Sequence, residues 1–288
     1  TDADYNVAVG VGALDLDTQG SRSTAIGYDA LSTQNFTSAT DSYNIAVGFN
    51  AGKLITTGIQ NTLIGSNAGD ALTDADYNVA LGYNALGADT QGSRSTAIGR
   101  GALATQNFSS ATDTGNTAVG FNAGNSLTTG INNTFIGNQA GLLSTDTDYN
   151  TAVGDRALYN NTRADQNTAI GYASLYNLNK TDGTDTYNTA IGNNSGFSLT
   201  TGIDNVIIGG LAGDALTDAD YNVAIGKVAL SSDTKGSKSV AIGNGALAVQ
   251  NFTSSTDSHN TAVGFDAGGA VTTGTSNTLI GSGAGDSI

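Results

Sequence analysis

Sixteen times along the chain a β-branched residue, a small or apolar residue and an aliphatic residue run directly into a glycine, as in Thr24-Ala25-Ile26-Gly27. The middle residue is Ala in twelve of these phrases, and the residue before each phrase is Asn in thirteen and Ser in three. A small residue between two branched ones is strand chemistry with period two. The glycine ends each strand, by taking a positive φ or by admitting another backbone. Ala follows three residues after the glycine, with Ser174 and Ser195 as exceptions, so the consensus reads Asn-Thr-Ala-Ile-Gly-x-x-Ala.

The glycines are separated by 17, 21, 17 and 17 residues, and the series then restarts. The chain is thereby divided into four 72-residue blocks, 1–72, 73–144, 145–216 and 217–288. Spacing this regular predicts a solenoid whose units contact mainly their neighbours. The expected fold is all-β: a parallel β-roll or β-helix of 16 rungs, one continuous solenoid without separate domains, read as an excerpt of a longer array. Seventeen residues suit a coil of two short strands and two turns. Coils stacked at about 4.8 Å would build a rod on the order of 75 Å. The asparagines should stack and pair their amides from rung to rung.

The position four after the glycine reads Leu, Leu, Gly, Gly in each block, as in Leu14, Leu31, Gly52 and Gly69. The fourth rung of each block exchanges its strand Ala for Leu63, Phe135, Ile207 or Leu279. One position gains a side chain where the other loses it, so the two are expected to share one close-packed interior. The third rung lacks both, and Phe49, Phe121 and Phe265 are expected to fill it, with Phe197 in the third block. The strand's other face is apolar too. A strand apolar on both faces must be covered on both, which predicts a wall supplied by a second or third copy of the chain.

Composition sharpens this picture. The chain has no Pro, Cys, Met, Trp or Glu, and its 40 glycines come with abundant Thr, Asn, Ser and Ala. Asp, Asn, Gly and Thr favour turns and strands over helices. A net charge of −15 argues against nucleic acid, which needs clustered Lys and Arg. Without cysteine there are no disulfides or thiolate metal sites. No apolar run approaches the roughly 20 residues of a membrane helix.

The phrase resembles the Asn-Ser-Val-Ala-Ile-Gly repeats in the heads of trimeric autotransporter adhesins, with Asn167 to Leu175 as a representative stretch. The 17-residue form, with Thr-Thr-Gly turns such as Thr56 to Gly58, is similar to repeats of phage tail-fibre-type and large bacterial surface proteins. The resemblance covers the whole chain, although these rungs are longer than those of the adhesin heads. It implies a left-handed β-roll wound as a homotrimer.

Candidate chemistry is sparse. His259 beside Asp257 and Ser258 invites a catalytic reading, yet its block equivalents are Tyr43, Gly115 and Tyr187, which marks a drifting surface position. Gly48 to Lys53 is one residue short of a phosphate loop. Asp pairs recur at Asp2/Asp4, Asp74/Asp76, Asp146/Asp148 and Asp218/Asp220, with Asp70 and Asp214 nearby, and are weak calcium candidates; turn-forming Asx residues are the default. Asp17, Asp89 and Asp233 stand five residues before Arg22, Arg94 and Lys238, and both change together to Asn161 and Gln166 in the third block, predicting a loop salt bridge. Interrupted Thr columns give little basis for ice binding. Sequons such as Asn35-Phe-Thr and Asn251-Phe-Thr arise easily in so much Asn and Thr and carry no weight here. The longer segments 32–43, 104–115, 176–187 and 248–259 contain Phe36, Phe108 and Phe252, with Leu178 in the third, and these side chains are expected to fold back over the roll.

The expected function is therefore non-enzymatic: a structural repeat region of an extracellular, cell-surface or virion-surface fibre or adhesin, acting as a stiff spacer or filament. Its partners are copies of itself. It makes no direct membrane insertion and needs no cofactor. The alternative is a binding module that recognises glycan or a host receptor through its loop rows, in either case with calcium as an added stabiliser.

Overall fold

The computed structural model describes residues 3–287, which form a parallel β-solenoid of about 16 turns with no helix among the described residues. Asp2 lies outside them. Two compact units are present, Thr1–Asp146 and Thr147–Ile288. In the first unit the main strands run from Val7–Val9 and Thr24–Ile26 through to Thr134–Ile136; in the second they run from Thr151–Val153 to Thr278–Ile280. Within each unit successive strands pair in parallel and in chain order.

Register follows the sequence phrase residue for residue. Thr62, Leu63 and Ile64 pair with Val79, Ala80 and Leu81 across a 17-residue turn. Thr24, Ala25 and Ile26 pair with Ile45, Ala46 and Val47 across a 21-residue one. The extra residues of the long turn are accommodated away from the main sheet without shifting it. They accompany short second strands, Gly20–Ser21 with Thr40–Asp41, Gly92–Ser93 with Thr112–Asp113 and Gly236–Ser237 with Thr256–Asp257. In the third block a single bridge, Asp165 to Asp185, stands in their place. Among the described residues the expected second strand thus exists only at these junctions; elsewhere the return path is held by single inter-turn hydrogen bonds.

Phrase-ending glycines followed by a further turn, such as Gly27, meet both conditions proposed for them, while Gly281 meets only the positive φ. Gly27 has φ 140°, and an added Cβ would lie 2.2 Å from the Gly48 carbonyl oxygen in the next turn. Each turn also carries further left-handed residues, such as Arg22, Asp29 and Leu31. A left-handed Leu costs on the order of 1–2 kcal/mol. The in-register ladder holds it there: Leu31 N–H donates to the Ala51 carbonyl at 3.1 Å.

Inside the coil, the strand Ala and the Ala after the glycine are fully buried, as at Ala25, Ala30, Ala46 and Ala51. The exchange between the strand and the later Leu/Gly position is confirmed in contact. Methyls added to Gly52 and Gly69 would meet Leu63, and those added to Gly124 and Gly141 would meet Phe135, all at 2.7–2.8 Å. The third rung is filled differently from expectation. Phe49, Phe121 and Phe265 are exposed, and Phe197 is half-buried against Tyr176. Ile55, Leu127, Leu199 and Val271, seven residues after the glycine, enter the core instead. They do so because the glycine column of these rungs vacates the space that Leu14 and Leu31 fill in theirs.

The core also contains a polar spine. Asn44 Oδ1 accepts from Asn61 N–H at 2.9 Å, and Asn61 Oδ1 accepts from Asn78 N–H at 3.0 Å. Each amide also reaches across the coil: Asn44 Nδ2 donates to the Gly58 carbonyl and Asn61 Nδ2 to the Ala75 carbonyl. Side-chain amides pair directly at some of the Asn-to-Asn steps, as from Asn205 Nδ2 to Asn188 Oδ1 at 3.0 Å, but not at others, such as Asn61 to Asn78. One fully buried Asn thus satisfies a strand and the opposite wall together, which offsets the cost of its burial.

Ser replaces Asn beside three of the long turns, and a second network takes over. Ser95 Oγ bonds Thr114 Oγ1, and Gln106 Nε2 donates to Ser95 Oγ at 2.8 Å and to Asp89 Oδ2 at 2.6 Å. Asp89 Oδ1 accepts the N–H groups of Gly92 and Phe108. Asp233, Gln250 and Ser239 repeat this arrangement.

Asp17, Asp89 and Asp233 therefore do not pair with Arg22, Arg94 and Lys238, contrary to the sequence expectation. Those cations meet Asp41, Asp113 and Asp257. The paired change in the third block has two separate causes: Asn161 and Leu178 replace the buried Asp and Gln, while Gln166 donates to Tyr187 at the surface. Leu178 is consequently the counterpart of Gln34 in the core. Phe36, Phe108 and Phe252 do fold back and are buried, and Lys180 holds their place in the third block.

Candidate functional site

The most extensive candidate surface is the outward face of the main sheet. Period two sends alternate strand residues outward, and the corner residues on either side continue the same row. In the first unit the centre of the face carries Ile26, Val47, Ile64 and Leu81. Ile26 is 39% exposed and Leu81 43%, large values for aliphatic side chains in a sheet. Aromatic side chains flank them. One edge carries Tyr5, Tyr43 and Tyr77; the other carries Tyr28, Phe49, Tyr83 and Phe121. The second unit repeats the pattern with Ile170, Ile191 and Ile242 between Tyr149, Tyr187 and Tyr221 on one edge and Tyr172 and Phe265 on the other.

Arg22 and Arg100 on this face are stacked or paired. Arg22 lies 5.0 Å from the Tyr5 ring and 5.8 Å from Tyr43, and its Nε is 2.9 Å from Asp41, whose hydrogen bond and charge raise the guanidinium pKa. Arg100 stands between Tyr83 and Phe121 at 5.7 and 5.5 Å, and Tyr28 stacks on Phe49 at 5.4 Å. Stacked rings and guanidinia make an edge of ordered, weakly hydrated groups beside an aliphatic centre.

The aspartates singled out by sequence do a different job. Asp76 and Asp220 accept from the N–H groups of Ile59 and Ile203 at 2.8 and 2.9 Å. Asp146 accepts from Thr129, Asp74 from Thr73 and Asp218 from Thr217. Asp4 and Asp148 donate backbone N–H groups to Ser21 Oγ and Asp165 Oδ1. These are hydrogen bonds between successive turns or to the adjacent Thr, not the expected Asx turns, in which a side chain bonds the backbone two residues on. No group of three or more His, Cys, Asp or Glu suited to a metal ion occurs among the described residues. Asp70 and Asp214 each bury a carboxylate oxygen without a hydrogen-bond partner, and burial raises their pKa values.

Asp257, Ser258 and His259 do not converge. Ser258 Oγ is buried, bonded to Ser239 Oγ and to the Ser237 carbonyl, while His259 is exposed. In the Gly48 to Lys53 segment, the N–H groups of Asn50 and Gly52 are committed to neighbouring turns and Lys53 pairs with Asp29, so no phosphate cradle forms. No protein-family model, curated protein or solved structure matches the chain.

Proposed function

We propose that the chain is a structural repeat region of an extracellular fibre or adhesin, a stiff spacer whose outward sheet face is covered by further copies of itself. The observation that carries this reading is the uninterrupted column of aliphatic side chains, edged by aromatics, left uncovered on the main sheet of each unit. Covering it would remove a continuous apolar surface from water, at roughly 25 cal/mol per Å². A copy of the same chain has the same turn spacing and meets the columns in register. The resemblance to trimeric adhesin heads makes three chains the favoured number and a cell or virion surface the favoured location.

The second reading is a binding module for glycans or a surface receptor. It draws on the Tyr5–Arg22–Asp41 grouping and its counterpart Tyr77–Arg94–Asp113, which set a ring beside a charged pair along one edge. A glycan array separates the two readings. The spacer binds no glycan above background; selective binding lost in Arg22→Ala and Arg94→Ala would establish the module instead. Calcium held by the paired aspartates is a variant of either reading, and a melting midpoint lowered by chelator would support it.

A further inference from the structure

The chain contains seven Asn-x-Ser/Thr sequons, at Asn35, Asn107, Asn132, Asn160, Asn179, Asn193 and Asn251. Four of them, Asn35, Asn107, Asn179 and Asn251, are separated by 72 residues and occupy the same place in the long turn of every block. From this placement we infer that they are N-glycosylation acceptors, a modification row carried once per block.

Three observations separate this row from chance in an Asn- and Thr-rich chain. The first is access: Asn35, Asn107 and Asn251 are exposed and Asn179 is half-buried, and the hydroxyl residues Thr37, Ser109, Thr181 and Thr253 are all exposed. Next is geometry. Each Asn is pinned through its acceptor side: Oδ1 takes a hydrogen bond from Thr18, Thr90, Thr162 or Thr234 of the preceding turn. The backbone is pinned as well, with Asn35 N–H donating to the Thr56 carbonyl and Asn107 N–H to the Thr128 carbonyl. Nδ2, the atom a sugar would be joined to, has no hydrogen-bond partner within the chain among the described residues, and the same holds for the hydroxyls of Thr37, Ser109, Thr181 and Thr253.

The third observation is what the divergent block keeps. In the third block this turn has lost the Phe, the Gln and the Ser of its counterparts, which became Lys180, Leu178 and Asn167. Asn179 and Thr181 remain. The hydrogen bond from Thr162 explains the Asn, but packing and hydrogen bonding in the fold give Thr181 no task. A transferase that reads Asn-x-Thr gives it one.

The other three sequons each fail a condition. Thr134 of the Asn132 sequon lies within the strand Thr134–Ile136. The Asn160 amide donates to Asn177. Ser195 of the Asn193 sequon is buried and donates to the Gly192 carbonyl.

In the transfer, the Asn Nδ2 attacks the anomeric carbon of a sugar activated as its diphosphate ester. The N–C bond forms as the C–O bond to the diphosphate breaks. The diphosphate leaves with the electron pair, and the amide proton passes to a base of the transferase. The donor is a nucleotide sugar or a lipid-diphosphate sugar. The row belongs to none of the aliphatic or aromatic columns of the outward sheet face, so glycans here leave that face open. The inference does not depend on the fibre reading, since a monomeric binding module would present the same turns.

Mass spectrometry of glycopeptides from the chain purified from its native source tests the inference. The expected result is an N-linked sugar on Asn35, Asn107, Asn179 and Asn251 and an unmodified Asn193. A single hexose points to a nucleotide-sugar donor, and a larger uniform oligosaccharide to a lipid-linked one. Bare asparagines at all four positions, or sugar on hydroxyls only, would overturn the inference. Thr181→Val, expressed in the same source, should abolish occupancy at Asn179 and leave the melting midpoint unchanged; occupancy that survives the substitution would also overturn it.

Discussion

Gly52 and Leu63 divide one space between them: a methyl group added to Gly52 would lie 2.7 Å from Leu63 Cδ1. The backbone does not forbid a side chain at 52, because Leu31 holds nearly the same φ at the equivalent position, 49° against 57°. Space alone decides. Leu63→Ala should cost about 2–5 kcal/mol, as large-to-small core changes do. Gly52→Leu alone should also destabilise, by overfilling. The double variant should be more stable than either single one in urea denaturation; simple additivity would show that the two positions are not coupled.

The Asp89–Gln106–Ser95 network makes a similar prediction with polar groups. Gln106→Leu leaves the fully buried Asp89 without its Nε2 donor and should destabilise by roughly 1–3 kcal/mol. Adding Asp89→Asn and Ser95→Asn recreates the third-block set, in which Asn161, Leu178 and Asn167 occupy these places. Thermal melting should show the triple variant recovering most of the loss.

Ser144 is buried, and its hydroxyl has no hydrogen-bond partner. Its counterparts are Leu72 and Leu216, and the larger Phe135 takes the volume that Ser144 gives up. Ser144→Ala should therefore stabilise by up to about 1 kcal/mol, by removing a desolvated hydroxyl. A lowered midpoint would reveal an interaction of that hydroxyl.

Burial raises the folded-state pKa values of Asp70 and Asp214 above their unfolded values. Their protonated forms thus favour the folded state, and the folded state binds more protons than the unfolded one through the interval above the ordinary Asp value of about 3.9. This contribution to stability is lost as pH rises through the folded pKa values and fully regained below the unfolded one. The Asp70→Asn/Asp214→Asn variant should show a flatter pH dependence in that interval than the parent chain, measured by urea midpoints.

Much of this architecture was legible because stacking repeats each constraint. The glycine column, the strand register and the exchange between Gly52 and Leu63 all show as aligned positions in the sequence. The filling of the third rung did not. Phe49, large and beside the glycine, is the candidate the sequence offers, whereas Ile55, seven residues past the glycine, is the side chain that fills the space. The usable signal was that Ile55 and Leu72 appear where position four is Gly, and Asp17 and Gln34 where it is Leu. Asp17 follows a related logic: proximity along the chain favours Arg22, while the fold brings up Gln34 from the next turn. The sequons carry no weight in the sequence alone; the exposure of their hydroxyls and the free side of their amides give their 72-residue spacing a meaning.

The exposed aliphatic and aromatic columns bear most directly on the proposal that copies of the chain associate. Light scattering coupled to size-exclusion chromatography on the purified chain measures this without a label or a ligand. The account predicts a mass that is a multiple of 28.7 kDa, with three copies favoured, and a shift toward one copy in Ile26→Lys/Ile64→Lys. A parent chain that stays soluble and monodisperse at 28.7 kDa would contradict it.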